Sequence, residues 1–203
     1  MIAEKLDLAI TDKSYYRAKT EAAVEDFGTY PYLTIAGQCA PEDEIFLGAI
    51  EKIYQLAYAI KFLQKADDLD FKVPKMECEW WVKGGPERQS DFISVAREEW
   101  CWRIMIRMPI SVSDEVYKQG MAVAKEKGKQ VADVQYEIIE QGKCVQCLHL
   151  GSYEEEGPTV DKILNLMKEE GLKHRGYHKE IYLSDPRKTA ESKLKTIIRH
   201  PVM

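Results

Sequence analysis

No apolar run in the sequence approaches the roughly 18 residues that a membrane-spanning helix needs. The opening stretch MIAEKLDLAITDKSYY lacks the apolar core of a secretory leader, so a cytoplasmic protein is expected. Basic residues are in the minority: 29 Lys and Arg stand against 34 Asp and Glu, a net charge of −5. Nucleic acid is therefore not an expected partner, because holding phosphates calls for clustered Lys and Arg. A helix-turn-helix pattern is missing, as are a phosphate-cradling glycine loop and a GxSxG nucleophile motif. Of the four histidines, His174 and His178 stand four apart but in no helical pattern, so there is no pair of metal type, and neither a metal nor a cofactor is expected. Cysteine is scarce and odd in number: Cys39, Cys78, Cys101, Cys144 and Cys147. Cys144 and Cys147 form a CxxC in the strand-like run KCVQCLHL, where positions i and i+3 point to opposite faces. A zinc site would also want a second pair. Reduced structural thiols are the expectation, over a redox or metal role.

What the 203 residues do contain is apolar weight, 45% hydrophobic, enough to bury a core. They also contain an internal echo. A strand YLTIAG (32–37) is followed by EIFLGAIEKIYQLAYAIKFLQK, whose apolar residues Phe46, Ile50, Ile53, Ala57 and Ile60 recur at helical steps. Pro41 and the acidic Glu42-Asp43-Glu44 stand at its start, where a helix favours negative charge. Strand-like MECEWWV (76–82), a Lys83-Gly84-Gly85-Pro86 turn, a loop over 87–96 and the strand EWCWRIMIRMP (99–109) complete the first unit. The same order then returns. CVQCLHLG (144–151) is a strand. PTVDKILNLMKEEG is a helix, with Pro158 near its first position and Gly171 just past its end. HKEIYLSDP (178–186) and LKTIIRHP (194–201) are strands. Between the units, residues 111–129 read as a connecting helix, capped by Ser113 and stopped at Gly128. VQYEIIEQGKCVQC reads as a hairpin turning at Gln141-Gly142.

The expected architecture is α+β and forms one domain over 1–203. Two strand-helix-strand-strand units, about 30–110 and about 132–203, build a mostly antiparallel concave sheet. Two long helices lie on one face, each burying its apolar stripe. The cleft where the halves meet is the natural ligand site.

The stretches HLGSYEEEGPTVDKI and GYHKEIYLSDPRKTAESKLKTIIRHPV carry a resemblance. With weaker marks in IYQLAYAIKF, EWWV and the WCW strand, the chain resembles the GyrI-like small-molecule-binding domain family over nearly its whole length. The resemblance implies a pocket walled by aromatic side chains with one glutamate, Glu180, at its base. Its ligands would be aromatic or cationic apolar molecules. Some standalone members are similar to hydrolases that open the cyclopropane of DNA-alkylating compounds. Others are drug-sensing domains joined to a DNA-binding domain, for which no motif is seen here. The two functions implied are thus hydrolysis of such genotoxins, with Glu180 as general base, or non-catalytic sequestration of apolar cations. Shielding of gyrase is a third.

The residues themselves leave several alternatives open. In HKEIYLSD, Glu180 shares a strand face with Tyr182, while Ile181 and Leu183 take the other. A carboxylate beneath packed helices is expensive unless paired or functional; on an edge strand it would simply meet solvent. Glu79 aligns with Glu180 when EWWV is laid on EIYL. Glu79 and Trp81 are then cleft candidates, or else structural groups. Tyr54 and Tyr58 stand four apart on one helix face and line the cleft or the core edge. Tyr54 is the candidate for orienting water or steadying a phenolate. Trp100 and Trp102 alternate with Ile104 on a strand, as ligand platform or as core. His149, Tyr153 and His178 are lesser candidates, and a lone histidine beside a strand is more often a satisfied structural group. Glu154-Glu155-Glu156 reads as a solvated helix start.

Overall fold

The computed structural model describes residues 5–203, and at positions 87, 89, 90 and 93 the backbone alone. The first four residues of the opening stretch read above lie outside the described residues. In chain order the elements are α1 (Leu8–Thr11), β1 (Ala23–Gln38), α2 (Glu44–Ala66), β2 (Met76–Trp81), β3 (Cys101–Arg107), α3 (Asp114–Glu126), β4 (Gln135–Leu150), α4 (Gly157–Glu169), β5 (His178–Tyr182) and β6 (Lys195–Pro201). The order strand, helix, strand, strand occurs twice, as β1-α2-β2-β3 and β4-α4-β5-β6, with α3 between. The stretch expected as a loop over 87–96 folds largely as a 3-10 segment, Pro86–Ser94.

Helix boundaries follow local chemistry. Asp43 caps α2 by accepting from the Ile45 amide at 2.8 Å. Ser113 caps α3 by accepting from the Val116 amide at 3.3 Å. Gly128 and Gly171, at φ of 71° and 65°, follow α3 and α4 in the left-handed conformation that glycine adopts without strain. Along α2, Phe46, Ile53, Leu56, Ala57 and Ile60 are buried, so its apolar stripe packs on the sheet.

All six strands pair antiparallel, in the closed order β1-β3-β2-β5-β6-β4. Closure departs from the expected concave sheet, and its cause is strand length. β1 and β4 each run 16 residues. The first part of β1 pairs with β4 (Ala23 opposite Gln146, Thr34 opposite Gln135), and its last part pairs with β3 (Gln38 opposite Cys101). These arms join the two halves on the side away from β2 and β5. The hairpin expected at Gln141-Gly142 is not there either. β4 passes straight through Gly142, which takes φ 57° within the strand and sits opposite Phe27.

The barrel separates two surroundings. Leu33, Ile35, Cys78, Trp80, Trp102, Ile104 and Ile106 pack under α2. Val145, Cys147 and Ile198 pack under α4 with Ile163 and Met167. The opposite strand faces carry buried charge: Glu77, Lys179 and Arg199 are almost fully enclosed. Lys179 donates to Gln141 Oε1 at 2.7 Å and lies 3.3 Å from Glu77, whose Oε2 accepts from the Tyr15 hydroxyl at 2.8 Å. Arg199 donates to Gln146 Oε1 at 2.8 Å and to the Tyr15 carbonyl at 2.8 Å. Mutual pairing is what makes these burials tolerable.

One close approach fixes the sheet under α2. A Cβ on Gly37 would stand 2.3 Å from the ring of Trp102, its cross-strand partner. Gly37→Ala is therefore expected to cost about 1–3 kcal/mol through overpacking. Urea unfolding of the two proteins measures it, and equal midpoints would show that the ring shifts freely.

Candidate functional site

A groove of about 2180 Å³ runs between α2 and α4, floored by residues of β2 and β5. Its α2 wall carries Phe46, Ile50, Tyr54, Tyr58 and Phe62; its far wall carries Val160 and Leu164 of α4. Tyr54, Tyr58 and Phe62 recur every four residues, and their rings step along the helix at centroid spacings of 6.4 Å. Trp80 and Trp100 form the floor and one end, 6.1 Å apart and edge-on, with Phe92 stacked on Trp100 at 4.0 Å. Such walls favour flat ligands by stacking and cations through the ring quadrupole.

At the base lie Glu156, His178 and Glu180. One donor atom from each falls within 4.8 Å of the others. His178 Nε2 is 3.3 Å from Glu180 Oε1 and 3.8 Å from Glu156 Oε2. His178 Nδ1 is 3.0 Å from Nε2 of His200, so a chain of contacts runs from Glu180 through His178 to His200. All three base residues are more than nine-tenths buried. Burial and the neighbouring Glu180 carboxylate push the Glu156 carboxyl up to about 10, so it holds its proton at neutral pH. His200 is held well below the usual histidine range by burial and by the two histidines near it, and is neutral. Above the acids, Tyr182 accepts from the Trp80 indole at 3.2 Å and meets Tyr153 edge-on. Burial and Glu180 push the Tyr153 hydroxyl up to about 12. Both phenols remain proton donors.

Of the residues singled out from the sequence, the structure brings Glu180, His178, Tyr182, Tyr54, Tyr58, Tyr153 and Trp100 to this groove. The others lie elsewhere. Antiparallel pairing sets Cys78, not Glu79, opposite Glu180; Glu79 faces Lys179 on the other side of the sheet. There it accepts from Arg103 Nη2 at 2.6 Å. Trp81 shares that face and stacks on Tyr177 at 4.7 Å. Laying EWWV on EIYL matches letters while reversing faces, because strand alternation has a period of two. Trp102 is core: its ring covers Gly37 and its indole donates to Cys39 Sγ at 3.3 Å. His149 is a satisfied structural group, bonded to the Thr159 hydroxyl at 2.9 Å and the Ser152 carbonyl at 2.8 Å.

Glu156 and His200 were not singled out. Glu156 closes the acid run expected to be solvated, yet it turns inward at the N-cap of α4 while Glu154 and Glu155 stay exposed. The i+22 spacing of His178 and His200 carries no local signal, since the strand pair β5–β6 alone brings them together.

The model of the GyrI-like small molecule binding domain family matches residues 21–203. The chain belongs to this family. Among solved structures, an uncharacterized conserved protein from Listeria innocua is 33% identical. It covers 98% of this chain and 100% of its own, with a TM-score of 0.90. A hydrolase from Listeria innocua is 31% identical over 98% of this chain and 100% of its own, at a TM-score of 0.85. The C-terminal domain of EcmrR shares the fold at 11% identity and a TM-score of 0.55, over 90% of this chain and 97% of its own. The comparison with curated proteins gives no match. The chain is thus a GyrI-like small-molecule-binding domain, and the groove is its candidate site. No helix among the described residues is long and apolar enough to cross a membrane.

Proposed function

We propose that this GyrI-like protein hydrolyses strained, cyclopropane-containing aromatic electrophiles and so protects its cell from alkylation. The observation that carries the reading is the pair at the base of the groove. Two carboxyls share one buried site, and burial together with the neighbouring Glu180 keeps the proton on Glu156. Environments that push paired acids apart are how one site supplies both a base and a donor. Glu180 accepts a proton from water as the water oxygen bonds to the cyclopropane methylene. The carbon–carbon bond breaks, and its electrons pass into the conjugated ring to give a phenolate. Tyr54 supplies a hydroxyl in the same groove to steady that charge. The phenolate then takes a proton from solvent, and Glu180 returns its own. The net change is the addition of one water, driven by ring strain and rearomatisation, so the protein need only position and stabilise. Similarity to Listeria proteins described as hydrolases supports this direction.

A second reading shares the same geometry: Glu180 as counter-charge for an apolar aromatic cation bound without reaction. Aromatic walls above a buried carboxylate favour it equally at the binding step. Mass spectrometry of a cyclopropanoid genotoxin after incubation with purified protein separates the two. A gain of one water per ligand is the expected result. Saturable binding with an unchanged mass would leave the binder and remove the hydrolase.

A further inference from the structure

The base of the groove is arranged like an open metal site as well as an acid pair. We infer that Glu156, His178 and Glu180 bind one divalent transition-metal ion of the zinc class, and that metal and cationic ligand exclude one another. A zinc ion held by nitrogen and oxygen at about 2.0–2.2 Å spaces its tetrahedral ligands roughly 3.3 Å apart. His178 Nε2 stands 3.3 Å from one carboxylate oxygen and 3.8 Å from the other, and the three donors span no more than 4.8 Å. Small rotations about the glutamate side-chain torsions close that gap.

Two further observations point to a ligand there. The Oε1 atom of Glu156 is buried and meets no hydrogen-bond partner, although the residue is only 8% exposed. An orphaned buried carboxylate oxygen is unusual and calls for an occupant. The second is behind the cluster: His178 Nδ1 lies 3.0 Å from His200 Nε2. A metal-bound histidine characteristically commits its other ring nitrogen to an orienting partner, and His200 stands in that place. The fourth direction faces the groove, whose aromatic walls leave room for water or a ligand. Three protein donors with an open fourth position is the pattern of accessible rather than closed zinc sites.

Exclusion follows from charge and space. An aromatic cation uses Glu180 as its counter-charge, and a dication seated on the same carboxylate takes that charge and the space beside it.

The test titrates the purified full chain with zinc against a chromophoric chelator, with no substrate present. One zinc per chain is expected. Glu156→Gln and His178→Gln should each weaken it by about 100-fold or more, and His200→Phe by about 10–100-fold. Cobalt(II) bound to the wild-type chain should give the visible absorption of a low-coordinate site, a readout that needs no variant. Ethidium fluorescence then tests exclusion: one equivalent of zinc should displace the dye. Absence of a stoichiometric site in the wild type would overturn the inference. So would zinc binding that survives unchanged in folded Glu156→Gln and His178→Gln, or dye and zinc bound together. The inference does not rest on hydrolysis. A chain that binds zinc but leaves cyclopropanoids intact removes only the hydrolase, and one that hydrolyses without binding zinc removes only the metal.

Discussion

Glu180→Gln lowers the rate of water addition to a cyclopropanoid substrate by about 10²–10⁴-fold, the usual contribution of a positioned general base. Glutamine keeps the shape of the side chain and a carbonyl oxygen near His178, but it cannot carry the proton taken from water. Affinity for the substrate should change much less, because the stacking walls of Tyr54, Tyr58 and Trp100 are untouched. The variant therefore separates turnover from binding: product formation followed by mass gives the first, and quenching of the groove tryptophans by an unreactive, ring-opened analogue gives the second. The same substitution removes the negative neighbour that helps hold the proton on Glu156, so the Glu156 carboxyl should move down. Wild-type rates in the variant would show that Glu180 is not the base. Loss of turnover together with an equal loss of analogue affinity would point to a counter-charge instead.

Some of this was legible from the residues and some was not, and the division follows the physics. Periodicity finds elements that bury one face. The stripe of α2 from Phe46 to Ile60 and the alternation of Glu180 and Tyr182 in β5 are of that kind. The outer arm of β1 is mostly exposed, and that of β4 is at best half-buried and reads as one side of a hairpin, so no apolar beat carries either strand through its full length. Barrel closure depends on those arms, so it stays hidden. The buried charges of the second strand face are also unreadable, since a lysine in a strand looks solvated until Glu77, Gln141 and Glu79 are seen around it. Glu156 fails for a related reason. An acid at a helix start already has an electrostatic explanation in the helix dipole. Only the tertiary packing of α4 on β4 and β6 turns that acid toward Glu180.

Glu156→Gln should stabilise the protein, increasingly so as the pH rises. In the unfolded chain a glutamate ionises near 4.5, whereas in the fold Glu156 keeps its proton to about 10. Between those values the folded state binds one more proton than the unfolded state, so stability falls with rising pH by about 1.4 kcal/mol per unit. Above about 10 both states have lost it and the loss is complete. Below about 4.5 both hold it and nothing is lost. At pH 7 the accumulated destabilisation is of order 3 kcal/mol, and a neutral glutamine of the same size removes it. Urea unfolding at pH 5, 7 and 9 measures this directly: the variant and wild type should nearly coincide at pH 5 and separate progressively above it. Parallel curves at all three values would mean that Glu156 is ionised in the fold and that the acid pair is not divided as argued. If the curves separate, the wild-type residue is held against the interest of stability. A buried carboxyl in that position is kept for the chemistry of the groove, since the fold alone is better served by its amide.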